Sequence, residues 1–312
     1  MGFLKDLLLK QRYPAILLVA GFILVFASNY SLSGKLTEPQ VQRQQPRLLL
    51  GVFGVLCVLG SAALFLIDED FVAYRRGCKI STTKNGFETK FRESTLSVDF
   101  GLLQDLYDPL DPGSVVVLPA NEFFDERCFR DERTAAGSFV GKYFSPGGAD
   151  ELRDLVHSEL SKKGYGPATD DPVATQHSYG VGTCLYLGQP LGQPVRIVFA
   201  AVASDRQPHG LRADLATVFR AVEEIKCNLA NERLTTVFIP LLGAGKGGVP
   251  AEIAFMTLVS ALLEARCRDG GHHLERMHIV VFQGGAMEPQ VQRRKAKRAL
   301  RQLVSLYQDM SR

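Results

Sequence analysis

The chain begins with two long apolar stretches that contain no charged residue. Residues 14–27 form the first stretch and residues 48–67 form the second. The second is long enough to cross a hydrocarbon core of about 30 Å as a helix. We therefore predict a transmembrane region over residues 1–67, with helical spans at about 13–30 and 48–67. Because basic residues precede the first stretch and Val25-Phe-Ala27 is typical of a cleavage site, a secretory signal is the alternative interpretation of the first span.

From residue 94 onward, short β-type runs alternate with amphipathic helical runs. The β-type runs lie at residues 95–100, 115–118, 195–202, 235–239 and 277–282. The helical runs lie at residues 151–160, 211–229 and 251–265, and a last helix follows near the C-terminus. Strands that alternate with helices indicate an α/β domain with three layers, α/β/α, and a mixed but mainly parallel sheet. We place this domain at 94–312, and we interpret 68–93 as a connector in which Lys84-Asn-Gly86 is typical of a hairpin turn.

A glycine-rich loop joins the β-type run at 235–239 to the helical run that follows it. Gly243, Gly245, Gly247 and Gly248 lie in this loop, where backbone N–H groups are left open at the positive end of a helix. A phosphate group can approach such a loop without meeting a Cβ atom. Neither a Walker A motif nor a Rossmann fingerprint fits, since a glycine follows the lysine and the loop comes late in the domain. A tight turn without a ligand is the structural alternative.

A second polar feature follows the β-type run at 115–118. This run stops at Pro119 and carries Asn121 just past its carboxyl end. Ligands of open α/β sheets bind at the carboxyl ends of the strands. The sequence therefore indicates one binding site for a nucleotide diphosphate, formed by the Asn121 turn and the glycine-rich loop.

These two segments resemble those of macro domains, the family that binds ADP-ribose. Residues 240–250 match the diphosphate loop P-x-L-G-T-G-x-x-G-x-P of that family, and the resemblance extends over residues 94–308. It implies an ADP-ribose derivative as the ligand and no cofactor. Two departures from the family pattern matter. Leu102 stands in place of the family's adenine-binding aspartate, and Asn121-Glu-Phe-Phe-Asp125 replaces the glycine loop of hydrolytic members. We therefore expect binding without catalysis.

The replaced loop contains the side chains that we expect to recognise a group attached to the ribose. Phe123 and Phe124 offer rings for stacking, although two consecutive Phe residues after a strand also fill a core. Glu122 and Asp125 suit a cationic group, and Arg133 suits a carboxylate. The predicted ligand-binding residues are Asn121, Glu122, Phe123, Phe124, Asp125, Arg133, Ser138, Thr183, Leu242, Gly243, Ala244, Gly245, Lys246, Gly247 and Gly248.

Composition and charge bear on nucleic-acid binding, metal binding and lipid binding. The 312 residues carry a formal net charge of only +3, and the basic run near the C-terminus lacks interleaved aromatic residues, so we expect no nucleic-acid partner. The six cysteines include no C-x-x-C pair and the histidines lack ligand spacing, so we expect no metal site. The basic amphipathic last helix suits either an anionic lipid surface or the outer layer of the domain.

Two membrane spans followed by such a domain resemble the membrane-anchored macro-domain effectors of bacterial Thoeris antiphage systems. The resemblance implies a partner with a TIR domain that makes the signal from NAD, namely a histidine conjugate of ADP-ribose in the membrane-bound type. It also implies that the signal-bound effector oligomerises and disrupts the lipid bilayer. Small residues on one face of the second span suit close helix packing, within a hairpin or in a homo-oligomer. They are Gly51, Gly54, Cys57 and Ser61.

Basic residues lie more densely outside the two spans than between them. Lys5, Lys10 and Arg12 precede the first span, and Arg75 and Arg76 follow the second. This distribution predicts a multi-pass protein of the cell inner membrane with both termini in the cytoplasm. Two other functions stay open at this point. One is a membrane-tethered ADP-ribosyl hydrolase, and the other is a reader of ADP-ribosylated proteins.

Overall fold

The computed structural model describes residues 78–165, 178–205, 210–268, 274–283 and 289–310, all within one compact unit, Arg76–Arg312. The predicted transmembrane region, 1–67, lies outside the described residues. Within the described ranges, none of the helices combines the length and the apolar character that crossing a membrane requires.

Strands and helices alternate along the described ranges, as the hydrophobic pattern predicts. The strands are β1 (Ile80–Thr82), β2 (Gly86–Phe91), β3 (Ser94–Gly101), β4 (Ser114–Asn121), β5 (Cys184–Gly188), β6 (Arg196–Asp205), β7 (Leu211–Ala213), β8 (Thr236–Pro240) and β9 (Arg276–Phe282). The α-helices are α1 (Leu103–Leu106), α2 (Glu126–Arg130), α3 (Ala135–Tyr143), α4 (Gly148–Lys162), α5 (Leu215–Asn231), α6 (Ala251–Arg268) and α7 (Arg293–Met310).

The strands form one sheet with the order β1-β2-β3-β9-β8-β4-β6-β5, and β7 also pairs with β6. The five central strands, β3, β9, β8, β4 and β6, run parallel to one another. The outer strands β1, β2 and β5 pair antiparallel, as β7 does with β6. Parallel neighbours need long crossover connections, and the helices provide them. The prediction of a mixed, mainly parallel sheet is confirmed.

Helices cover both faces of the sheet, which gives the predicted three layers. Strand β4 shows why both faces must be covered, since its side chains alternate between two cores. Val115 and Val117 pack with α5, α6 and α7, whereas Val116 and Leu118 pack with α2, α3 and α4. A strand that is buried on both faces has a continuous apolar sequence, as residues 115–118 do.

The amphipathic helix after β6 begins later than its apolar stripe suggests. Leu211, the first member of that stripe, lies in β7, and helix α5 begins at Leu215. The carboxylate of Asp214 caps the helix by accepting a hydrogen bond from the backbone N–H of Ala216 at 3.0 Å. The later members of the stripe, such as Val218, lie in the core as expected.

The segment that the sequence suggests as a connector contributes to the sheet. Its hairpin-type turn joins β1 to β2, and β2 pairs with β3 along its whole length. Gly86 sits where a Cβ atom would lie 1.8 Å from the carbonyl oxygen of Val98, so no other residue fits without moving the backbone. The sheet therefore begins at Ile80, ahead of the domain boundary expected at 94.

Two strands at the centre of the sheet separate near their carboxyl ends. Strand β4 pairs with β8 only from Ser114 to Val116. Beyond that point Pro119 lies in β4 and Pro240 ends β8, and a proline has no N–H to donate to a neighbouring strand. The space opened between the two strand ends is where the candidate site lies.

Candidate functional site

A cavity of about 280 Å³ opens at the carboxyl ends of the five parallel strands. This is the edge where ligands of open α/β sheets bind. The glycine-rich loop after β8 forms one wall, and the segment from α2 to α3 forms another. Its lining includes Gly101, Leu102, Leu103, Gln104, Pro119, Ala120, Asn121, Arg127, Cys128, Glu132, Arg133, Thr134, Ala135, Ser138, Val202, Leu211, Pro240, Gly243, Gly245, Lys246, Gly247, Phe282 and Gln290.

Asn121 lies at the end of β4, is 2% exposed and lines the cavity. Its Oδ1 accepts hydrogen bonds from the backbone N–H groups of Phe123, at 3.1 Å, and Asp125, at 3.4 Å. These two bonds fix the orientation of the side-chain amide. The Nδ2 atom is buried and donates no hydrogen bond within the described ranges. The side-chain amide can therefore donate a hydrogen bond to an acceptor of a ligand in the cavity.

The glycine-rich loop needs its glycines for two different reasons. Gly243 has a φ of +80°, and a Cβ on either Gly243 or Gly247 would lie 2.8 Å from the Cβ of Ala213 in β7. These two glycines let the loop pack against β7. Gly245 also lines the cavity, but an added Cβ there would meet no atom within 4 Å. The absence of a side chain at Gly245 thus leaves space in the cavity and is not required by packing against another segment.

The structure divides the predicted ligand-binding residues into two groups. Seven of them line the cavity, and the other eight do not. The lining group is Asn121, Arg133, Ser138, Gly243, Gly245, Lys246 and Gly247. The residues placed elsewhere are Glu122, Phe123, Phe124, Asp125, Thr183, Leu242, Ala244 and Gly248.

The loop that follows Asn121 turns its side chains away from the cavity. Phe124 is fully buried, and its ring packs edge-on against Tyr179 at 5.9 Å, so it fills the core instead of stacking on a ligand. Glu122 accepts a hydrogen bond from the hydroxyl of Ser178 at 2.8 Å. This correction follows from the backbone, which takes a left-handed conformation at Phe124 with a φ of 47° and so redirects the chain.

Asp125 and Thr183 serve local structure. The carboxylate of Asp125 caps α2 by accepting from the backbone N–H of Arg127 at 3.1 Å. It also pairs with the Arg127 guanidinium at 2.6 Å. The hydroxyl of Thr183 donates to the carbonyl oxygen of Tyr179 at 2.7 Å. Neither side chain is available to the cavity, in contrast to the expectation from sequence. Leu242 is fully buried in the core.

Charged groups of both signs face the cavity. Arg127, Arg133 and Lys246 are cationic and Glu132 is anionic, so the lining is suited to an anionic ligand. Cys128 is buried beside these groups, and desolvation raises the pKa of its thiol to about 12. The thiol is thus neutral near pH 7 and is a weak nucleophile. Within the described ranges no cluster of His, Cys, Asp and Glu is arranged to hold a metal ion.

The cavity also contains residues that are not among the predicted ligand-binding residues, although the sequence had singled out Leu102. Leu102, Leu103 and Phe282 give one end an apolar lining, and Phe282 is 42% exposed at the end of β9. Gln104 adds an amide that donates to the hydroxyl of Ser138 at 2.7 Å. Leu102 and Phe282 lie at the carboxyl ends of parallel strands, so the ends of the apolar runs in the sequence could have predicted them. Gln290 lies well beyond a strand end, and no sequence pattern predicts it.

No protein-family model and no curated protein matches this chain. Similar solved structures include the Oceanobacillus iheyensis macrodomain with ADP, at 11% identity and a TM-score of 0.47, covering 74% of this chain and 99% of that one. The same macrodomain with MES bound has 10% identity and a TM-score of 0.45, covering 72% and 97%. The macrodomain of Thermus aquaticus DarG has 15% identity and a TM-score of 0.36, covering 59% and 98%.

Proposed function

We propose that the cavity binds ADP-ribose or a derivative of it, and that the chain is a membrane effector that does not turn this ligand over. The buried Nδ2 atom of Asn121 carries the first part of the proposal. Asn121 lines the cavity, and its Nδ2 is a donor without a partner in the described part of the chain. Leaving a buried donor unpaired costs about 1–3 kcal/mol. A hydroxyl of a ribose supplies the missing acceptor.

The rest of the lining matches the other parts of ADP-ribose. The glycine-rich loop offers backbone N–H groups to the diphosphate, and Lys246 adds a positive charge beside them. Leu102, Leu103 and Phe282 form an apolar end where a base is able to pack. Leu102 has no polar group to offer the adenine amine, so recognition of the base relies on packing and on nearby amides.

Binding without hydrolysis is supported by the state of the groups around Asn121. Hydrolysis needs a base or a positioned water close to the reacting ribose. Cys128 is a neutral thiol, since its pKa is raised to about 12. Asp125 is held by the helix α2 cap and by Arg127. Glu132 is the lining residue that a hydrolase would use as its base, and Glu132→Gln is the variant that tests this alternative.

The membrane part of the proposal comes from the sequence of residues 1–67 and from the resemblance to Thoeris effectors. A TIR-domain partner produces the ADP-ribose-derived signal, the histidine conjugate, and the cytoplasmic domain binds it. Binding favours an assembled state, in which the small-residue faces of the second spans pack together and the bilayer is disrupted. Both termini then lie in the cytoplasm of an inner-membrane protein.

The experiment uses the full chain expressed in bacteria. The chain should stay with the membranes during alkaline carbonate extraction, and after solubilisation in detergent it should increase in mass when ADP-ribose or its histidine conjugate is added. The added compound should be recovered unchanged. Released product that disappears in Glu132→Gln would establish a hydrolase. Binding without a change in mass would favour the reader, and a chain extracted by carbonate would contradict the anchoring.

A further inference from the structure

Three charged residues from two loops meet at the mouth of the cavity. Asp131 and Arg133 come from the short loop between α2 and α3, and Lys246 comes from the glycine-rich loop. The carboxylate of Asp131 accepts hydrogen bonds from Arg133, at 3.0 Å from Nε and 3.2 Å from Nη2. The Lys246 ammonium donates to the same carboxylate. One anion thus holds two cations that line the cavity.

Asp131 is ionised whenever these contacts are present. Hydrogen bonds from Arg133 and then from Lys246 hold the pKa of its carboxyl far below the usual range. The side chain of Lys246 is 43% exposed and that of Arg133 is 86% exposed, whereas that of Asp131 is 14% exposed. Ion pairs with partners this exposed contribute roughly 0–1 kcal/mol and exchange readily. The arrangement is therefore fully charged and easily rearranged.

We propose that Lys246 and Arg133 form a subsite for an anionic group of the ligand, and that the Asp131 carboxylate occupies this subsite in the empty protein. The inference rests on the proposed function, which brings such a group into the cavity. Lys246 has Asp131 as its anionic partner in the described part of the chain.

The main chain at Asp131 is held in place by contacts that do not involve Lys246. The carbonyl oxygen of Asp131 accepts hydrogen bonds from the N–H and the hydroxyl of Thr134, both at 2.8 Å. It also packs so closely on Gly137 that a Cβ there would lie 2.2 Å away. The main chain is fixed to the first turn of α3. The Oδ1 atom of Asp131 also accepts from the backbone N–H of Arg133 at 3.1 Å, whereas Lys246 donates to Oδ2. An incoming phosphate or carboxylate therefore displaces Oδ2 from Lys246 without moving the loop.

The test measures affinity in the full chain in detergent, by calorimetric titration with ADP-ribose at low salt. Asp131→Asn keeps the shape of the side chain and removes the competing charge. Affinity should rise by about two- to fivefold, the size expected from an exposed ion pair, and the gain should shrink as salt screens the pair. Asp154→Asn is the matched control, because Asp154 is an exposed carboxylate on α4 that pairs with Arg153 at 2.9 Å, outside the cavity lining. It should leave the affinity unchanged.

A second variant keeps the proposal testable if Asp131→Asn lowers the melting temperature. Lys246→Gln should weaken binding, and the effect of Asp131→Asn should become smaller in its presence because the competed cation is gone. A loss for both ADP-ribose and its histidine conjugate would assign the subsite to the diphosphate. A loss for the conjugate alone would assign it to the carboxylate of the attached group.

Other outcomes overturn the proposal. If the wild-type chain binds ADP-ribose, but Asp131→Asn leaves the affinity unchanged or weaker with an unchanged melting temperature, Asp131 does not compete with the ligand. If Lys246→Gln binds both compounds as tightly as the wild type, there is no such subsite. If the wild type binds neither compound, the proposed function itself fails, and this result is distinct from the other two.

Discussion

At the scale of the residue, similar side chains have different tasks. Asn121 orients its amide with backbone N–H groups and keeps Nδ2 for the cavity, whereas Asp125, four residues later, caps a helix. Gly243 is required by a positive φ and by close packing on Ala213, whereas Gly245 has open space beside it. The roles of these residues therefore follow from the contacts of each atom and not from the residue type.

Cys128 provides a prediction at this scale that depends on pH. Desolvation raises the pKa of its thiol to about 12, so roughly one molecule in 10⁴ carries the thiolate at pH 8. Iodoacetamide at pH 8 should leave Cys128 unmodified in the folded chain and should alkylate the exposed Cys227. Mass spectrometry of the digested protein measures both sites, and both should react in denaturant. Equal alkylation of the two sites in the folded protein would show that Cys128 is not desolvated.

At the scale of the element, helix α3 and the loop before it form one wall of the site. The hydroxyl of Thr134 caps the helix by accepting from the N–H of Gly137 at 3.0 Å. The hydroxyl of Thr134 also donates to the carbonyl oxygen of Asp131. The helix cap and the ion pairs of Asp131 with Arg133 and Lys246 therefore depend on the same stretch of backbone. The position of Arg133 and Ser138 in the lining depends on this stretch.

Two glycines of α3 should respond in opposite ways to the same substitution. A Cβ at Gly137 would lie 2.2 Å from the carbonyl oxygen of Asp131, so Gly137→Ala should cost about 1–3 kcal/mol and lower the melting temperature by about 2–12 °C. Gly141 is exposed, and a Cβ there would meet the flexible end of Glu132 at an ordinary 3.5 Å. Gly141→Ala should add about 0.5–1 kcal/mol through helix propensity.

Thermal melting followed by circular dichroism, on the full chain in detergent, measures both variants. Gly141→Ala is the matched control for Gly137→Ala, since both make the same change in the same helix. If the two variants melt at the same temperature, the tight turn between the loop and α3 is not present in solution.

At the scale of the whole molecule, the sheet places distant segments together. The carboxyl ends of the parallel strands bring the Asn121 turn and the glycine-rich loop to one cavity, although they lie far apart in the chain. The outline of this arrangement could be predicted, because alternating runs identify the layers and strand ends identify the site. Pro119 and Pro240 show where the central strands separate, and both were visible as stops in apolar runs.

Contacts between residues far apart in the chain could not be predicted from the sequence. Asp131 and Lys246 are separated by 115 positions, and no periodicity or motif connects them. Phe124 looks like a ligand-stacking ring until its left-handed backbone and buried environment are known. Leu211 fits a helical stripe but lies in β7, because Asp214 caps the helix later. For Phe124 tertiary packing outweighs the local pattern, whereas for Leu211 a local helix cap does.

Gly245→Val tests whether the cavity between Asn121 and the glycine-rich loop binds ADP-ribose. Gly245 lines the cavity and an added Cβ meets nothing, so valine should fill ligand space without straining the fold. Calorimetric titration of the full chain in detergent should show micromolar or tighter binding of ADP-ribose to the wild type. It should show no binding to Gly245→Val, at an unchanged melting temperature. Equal binding by both chains would show that ADP-ribose does not occupy this cavity, and no binding by the wild type would show that the chain does not bind ADP-ribose.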